Sequence, residues 1–369
     1  MKKQAGFTLL ELMVAMGVTL VILGAALMAF TDALHSNQNV ALSAEMTENL
    51  RAGLNLIQQD LIQAATGIPT GGIPIPNTPN AGGTCNIGQP VNRPALTGGL
   101  TFPACNFVLP AVEPGSNLGP QITSPDANPG PNTDVITVLY ADNTLSLDKD
   151  PVNRPASPGV PACNGTITAE GDSMTFDPAC VNLAAAGIRV QPGDLIMFSN
   201  AIGNAIQTVT SVNGQTLNFA SKDAFNLNGR KDPQGTIIQL QNLDPTTGKP
   251  NGTYPPTTAT RVWMISYYLD NIADPQHVRL IRQVNFQPRQ PVGETLENLQ
   301  FTYNFVDGVT NPANQPAVPA GLSENQIRSI NVYLAARSIT LFGQTGRYLR
   351  SNLATQVSLR SMAYVNRYN

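Results

Sequence analysis

From Leu12 to Phe30 no residue is charged, and the run is apolar almost without break. As a helix rising 1.5 Å per residue it is about 28 Å long, close to the hydrocarbon thickness of a bilayer. A chain with such a segment near its start is constrained first by a membrane and only then by its own core. Lys2 and Lys3 precede the run and Asp32 is the first charge after it. The positive-inside rule therefore places the N-terminus in the cytoplasm and the rest of the chain on the other side. Glu11 is the anomaly, a carboxylate at the edge of the run that would cost about 3 kcal/mol if carried toward the bilayer centre. Such a group needs a partner. An ordinary secretory signal carries no acid there, and its small-residue cleavage site follows the apolar core instead of preceding it.

The stretch Gly6-Phe7-Thr8-Leu9-Leu10-Glu11 resembles the cleavage and methylation motif of type IV prepilins and of type II secretion pseudopilins. The resemblance implies a leader, residues 1–6, cut by a prepilin peptidase between Gly6 and Phe7, with N-methylation of the new Phe7 amine. It also implies that Glu11, fifth in the mature chain, pairs with the terminal amine of a neighbouring subunit during assembly. Electrostatics agrees with that role. A cut before Phe7 keeps the apolar segment attached and creates a cation at its tip, the kind of partner that a desolvated carboxylate requires. The other reading of the same residues is a plain single-span anchor with a chance glutamate.

The division expected from the sequence is a membrane and assembly helix over 7–30 and an amphipathic stalk helix over 31–66, continuous with each other. Met46, Leu50, Leu54, Ile57 and Leu61 fall on one face of the second half at spacings of three and four. Glu45, Glu48, Arg51 and Asp60 are assigned to the other faces, and Gly53 is a local weakness of about 1 kcal/mol. Gly67 and Pro69 are the expected stop. From 67 to 132, Pro and Gly fill 24 of 66 positions, which reads as irregular chain without a core of its own and as either a partner-facing surface or a disordered linker.

Residues 133–369 read as a β-rich domain. Strand-like runs recur at 135–140, 195–199, 205–212, 217–219, 236–240, 262–269, 278–283, 299–305 and 330–334. Asn213-Gly214 between two of them is a type I′ hairpin signal. Most connections are too short for helices, so the fold class is α+β, a long N-terminal helix packed on mainly antiparallel sheet. Pro192-Gly193-Asp194, Trp263 to Asp270, Leu280 to Gln283, Leu296 to Phe301, Ile330 to Arg337 and Ala354 to Arg360 are similar in order to the large PilW-type minor pilins. Pseudopilins of the GspJ type share the plan but are usually shorter.

Cys85, Cys105, Cys163 and Cys180 form no C-x-x-C pair, so disulfides in an oxidising compartment are the favoured reading. Sequential pairing would close two short loops at about 3 kcal/mol each in the chain-entropy model; the other pairings and four free thiols stay open. No catalytic, cofactor-binding or metal-binding residue is expected. His35 and His277 are the two histidines. His35 falls in the stalk, and around His277 there is no G-x-S-x-G elbow that would build a triad. Asp142, Asp148 and Asp150 form an acidic turn that fails the EF-hand pattern, with Val152 where a ligand is needed. Residues 277–369 hold nine arginines, 279, 282, 289, 328, 337, 347, 350, 360 and 367, against four acids. They could form a DNA-contacting face, or snorkel over sheet edges and pair with stalk acids, the favoured reading. With a formal net charge of -3 overall, nucleic acid is not expected as a partner.

The function expected from the resemblance is that of a structural minor pilin, not an enzyme. Such a subunit primes a type IV pilus and sits at or near its tip, in support of motility, adhesion or DNA uptake. The alternative is a minor pseudopilin of a type II secretion system. Expected partners are the prepilin peptidase, the inner membrane, and other minor pilins and the major pilin through the N-terminal helix. The expected location is the inner membrane, with the C-terminal domain periplasmic until a pilus carries it to the surface.

Overall fold

The computed structural model describes residues 8–76, 91–94, 100–103, 108–126, 129–142, 147, 152–185, 187–228, 235–342 and 345–365. One helix, α1, runs from Leu9 to Gln63. Its first half is exposed apart from the half-buried Gly24 and His35, whereas Met46, Leu50, Gly53, Leu54, Ile57, Asp60 and Leu61 are buried. The apolar stripe expected from the sequence is thus the packed face. Asp60 is a correction, since it lies on that face and not on a solvated one. The helix stops at Gln63, before Gly67. Ala65 takes a positive φ of 68°, and the chain then bonds to sheet, with Ala65 N donating to Leu139 O and Ala141 N donating to Thr66 O.

Every named strand pair is antiparallel. β1 (Ile73–Pro74) and β2 (Val108–Leu109) form a short ribbon. β3 (Val112–Glu113) and β4 (Ile136–Ala141) open the main sheet. β5 (Thr166–Ile167) and β6 (Ser173–Thr175) belong to a smaller one. β7 (Leu195–Asn200) and β8 (Asn204–Thr208) return to the main sheet, and β9 (Ser211–Asn213) and β10 (Thr216–Asn218) complete the small sheet. β11 (Thr257–Asp270), β12 (Arg279–Val284) and β13 (Gln290–Gly293) finish the main sheet, in the order β13-β12-β11-β4-β3, with β7 also on β11. β14 (Leu296–Phe305), β15 (Ile327–Phe342) and β16 (Arg347–Ser358) form a C-terminal meander, followed by a short helix, α2 (Arg360–Val365).

The packed half of α1 joins the two larger sheets. Leu50, Leu54, Ile57 and Leu61 share one core with Ile265 and Tyr267 of β11, Leu280 of β12, and Phe301, Val332 and Val357 of the meander. Gly53 marks the closest approach, because a Cβ there would stand 2.7 Å from Leu280 Cδ2 and 3.5 Å from Leu334 Cδ2. The glycine trades helix propensity for contact.

Four further expectations change. The run 205–212 is not one strand, because the chain leaves β8 after Thr208 and enters the small sheet at Ser211; Thr210 N already bonds to Asn218 O. The β-branched run at 236–240 forms a 3-10 turn over Ile237–Leu240, burying Ile237 and Leu240 three apart. The hairpin at Asn213-Gly214 exists, but Asn213 pairs with Thr216, so Gly214 and Gln215 are the turn residues. Only Gly214 among them has positive φ, at 61°, which is the II′ pattern instead of I′. The Pro/Gly-rich region is also more than loop. β1, β2 and β3 lie in it, and its Ile73, Phe102, Leu109 and Val112 are fully or almost fully buried.

Candidate functional site

The helix N-terminus is built by Thr8 and Glu11. Thr8 is the N-cap, and its Oγ1 accepts from Glu11 N at 3.3 Å. Glu11 Oε2 accepts in return from Thr8 N and from Thr8 Oγ1, each at 2.9 Å. This reciprocal capping box satisfies backbone donors that no helical carbonyl can reach and sets a negative charge against the positive end of the helix dipole. The second oxygen of Glu11, Oε1, has no hydrogen bond among the described residues. Gly6 and Phe7, the expected cleavage and methylation positions, lie outside the described residues.

Beyond the cap the helix offers an unbroken apolar surface. Leu9 is 80% exposed and Val21 73%, so the body supplies no cover for this half. α1 is long and apolar enough to cross a membrane. Burying so many large apolar side chains requires lipid or other helices, at 1.5–3 kcal/mol for each side chain removed from water.

At its other end α1 is held by Asp60. The carboxylate is 4% exposed. It accepts from Tyr140 Oη of β4 at 3.0 Å, from Tyr267 Oη of β11 at 2.5 Å, and from Arg282 Nε and Nη2 of β12 at 2.7 and 3.1 Å. Burial and the Asp60 charge push both tyrosine hydroxyls well above their ordinary range, so they stay donors at any physiological pH. Three strands are tied to one helical residue, and this fixes how the stalk enters the body. The sequence reading missed Asp60; an acid three residues after Ile57 and one before Leu61 falls beside the buried stripe, and that spacing was the available signal.

A second buried charge lies in the Pro/Gly-rich region. Arg93, 3% exposed, donates to the carbonyls of Glu113 and Pro114 at 2.7 and 2.9 Å and to Thr137 Oγ1 at 2.7 Å. Burial holds the Glu113 carboxyl up at about 7, against the pull of Arg93.

The remaining sequence candidates separate cleanly. Cys163 and Cys180 form a disulfide with Cα atoms 5.9 Å apart; Cys85 and Cys105 lie outside the described residues. Asp142 Oδ2 is engaged by Arg261 through Nε at 2.9 Å and through Nη2, whereas Asp148 and Asp150 lie outside the described residues. His277 Nδ1 pairs with Asp274 at 2.7 Å in a half-exposed turn, and His35 sits within α1. Five of the C-terminal arginines have acidic partners: Arg279 with Glu294, Arg282 with Asp60, Arg289 with Asp270, Arg337 with Glu297, and Arg350 with Asp126 and Glu297. Arg328, Arg347 and Arg360 are exposed, and Arg367 lies outside the described residues. Much of the local positive excess is thus neutralised within the body, and one partner is the stalk acid Asp60.

Residues 1–27 match the model of the prokaryotic N-terminal methylation motif. No curated protein and no solved structure matches the chain. That motif, running into one long apolar helix packed through its second half on antiparallel sheets, supports a type IV pilin-like or pseudopilin-like protein.

Proposed function

We propose that this protein is a PilW-type minor pilin, a structural and non-enzymatic subunit that primes a type IV pilus and sits at or near its tip. The observation that carries the reading is the methylation motif running into an apolar helix whose first half the body leaves uncovered. Glu11 fits the assembly step. Its Oε2 is used by its own N-cap while Oε1 has no partner among the described residues, so a neighbour's terminal amine can be accepted without breaking the cap. The prepilin peptidase cuts between Gly6 and Phe7, and the helix then waits in the inner membrane with the body in the periplasm. Other minor pilins and the major pilin pack against it from there. The ordered resemblance along 190–362 and the large β body favour the pilus over a secretion pseudopilus.

Two measurements test this. The mature protein is expected to begin at N-methylated Phe7, and intact mass with N-terminal sequencing reads that directly; any other first residue defeats the reading. Deleting the gene is expected to remove surface pili with protein secretion intact. Lost secretion with normal pili would move the protein to the type II system.

A further inference from the structure

The face of β11 that meets α1 does not end where the helix ends. Tyr267 on that face bonds Asp60 in the last turns of α1, and Ile265, Trp263 and Arg261 follow at intervals of two toward the start of the strand. Cross-strand register sets Tyr140 opposite Trp263 and Val284 opposite Ile265. With α1 finished at Gln63, this apolar and aromatic floor is left open as a pocket of about 480 Å³, within the size range of small-molecule sites. Its rim carries the amides of Gln191, Gln287 and Gln290 and the guanidiniums of Arg282 and Arg289.

We infer that this pocket binds an uncharged sugar, such as the terminal residues of a neutral glycan. Three features select that class. First, Trp263 is the sole tryptophan of the chain, and it is held in place. The Arg261 guanidinium stacks 4.3 Å from its ring centroid and is fixed in turn by Asp142 and by the Arg189 carbonyl. A fixed aromatic surface meets the apolar C–H face of a pyranose at little entropic cost. Second, a glutamine amide both donates and accepts, which suits hydroxyls that donate and accept at once; Gln287 already spends one donor on the Pro192 carbonyl at 3.1 Å. The side chains of Gln191 and Gln290 are exposed and make no hydrogen bond among the described residues. Third, the pocket carries little unbalanced charge. Arg282 is paired with Asp60 and Arg289 with Asp270, so a phosphate or carboxylate gains less than it would at bare guanidiniums.

The test uses the full chain in detergent and the emission of Trp263. Chitotriose, maltotriose and a galactose-terminated trisaccharide are the neutral probes; inorganic phosphate and sialyllactose are the anionic ones. The expected result is a saturable change with at least one neutral sugar at a Kd of about 1 mM or tighter. The double variant Gln191→Ala/Gln290→Ala should weaken that binding at least tenfold with the ligand-free emission spectrum unchanged. Trp263→Phe should lose the same binding by calorimetry while keeping the wild-type unfolding midpoint within a few degrees. No saturable response to any neutral sugar overturns the inference. So does a response confined to the anions, or one that the glutamine variant leaves intact.

Discussion

Asp60→Ala probes how the stalk is fixed to the body. The substitution removes four acceptor contacts at once and leaves Arg282 with no counter-ion in a site where its side chain is 20% exposed. Breaking a buried pair costs about 3–5 kcal/mol, and the partial exposure of Arg282 places this one near 3. The hydroxyls of Tyr140 and Tyr267 each lose a charged acceptor, which adds about 1 kcal/mol in total at the low end of the net worth of a hydrogen bond, about 0.5 kcal/mol apiece. The expected destabilisation is therefore about 4 kcal/mol. Urea unfolding followed by Trp263 emission reads it, since Trp263 stands opposite Tyr140 in the sheet and the midpoint shift multiplied by the slope gives the free energy. Arg282→Ala alone should cost less, because Asp60 keeps both tyrosine donors. In the double variant the costs should fall short of additivity by about 2 kcal/mol. Additivity within about 0.5 kcal/mol would refute the claim that one carboxylate couples helix to sheet. Glu45→Ala, on an exposed turn of the same helix, is the control and should stay within about 0.5 kcal/mol of wild type.

Glu113 gives a pH dependence of definite sign. Its carboxyl stands at about 7 in the folded chain against an ordinary 4.5, so between those values the folded state holds a proton that the unfolded state has lost. Stability from this group therefore falls as pH rises through the window, by about 3 kcal/mol. Unfolding midpoints measured at pH 5 and pH 8 should show the slope, and Glu113→Gln should remove it. Asp126 acts in the opposite direction, because its bonds to Arg350 hold the carboxyl well below the usual range; its contribution is lost only in strong acid. Replacing Cys163 and Cys180 by serine opens a loop of 17 residues' separation and should cost about 3 kcal/mol, read by the same denaturation. Gly53→Val drives side-chain atoms toward Leu280 and Leu334, with an expected loss of about 1–3 kcal/mol by overpacking.

How far such features could be foreseen depends on whether a residue's partners are near in sequence. The helix is legible because its pattern is local: an uncharged run, then Met46, Leu50, Leu54, Ile57 and Leu61 on one face, all five of which the body buries. The long strands around Trp263, Leu299 and Ile330 are legible for the same reason. Asp60 is not, because its partners lie 80 to 222 residues away and a lone acid near an apolar stripe has the appearance of a solvated one. Arg93 and Phe102 were hidden by their setting, a Pro/Gly-rich stretch whose short strands take their order from β4 and β8 and not from any periodicity of their own. At 236–240 the β-branched composition pointed one way and the i, i+3 burial of Ile237 and Leu240 another; packing decided.

The two halves of α1 are stabilised by different surroundings, and this bears on what Glu11 does. The second half has a fixed partner in the sheets, and Gly53 and Asp60 make its seat specific. The first half has none in the chain, so whatever covers it is exchanged when a subunit passes from bilayer to filament. Swapping lipid for neighbouring apolar helices changes little in hydrophobic free energy, because lipid tails are as apolar as leucine. The driving difference must then come from polar groups that the bilayer serves poorly. Within the apolar run there is no charge to provide it, and at its edge there is one, Glu11, with one oxygen committed to the N-cap and the other without a partner among the described residues. On the function proposed above, a bundle that offers that oxygen a cation relieves a cost that the membrane leaves standing, and the position of Glu11 on the helix is then what sets the axial register of the neighbour.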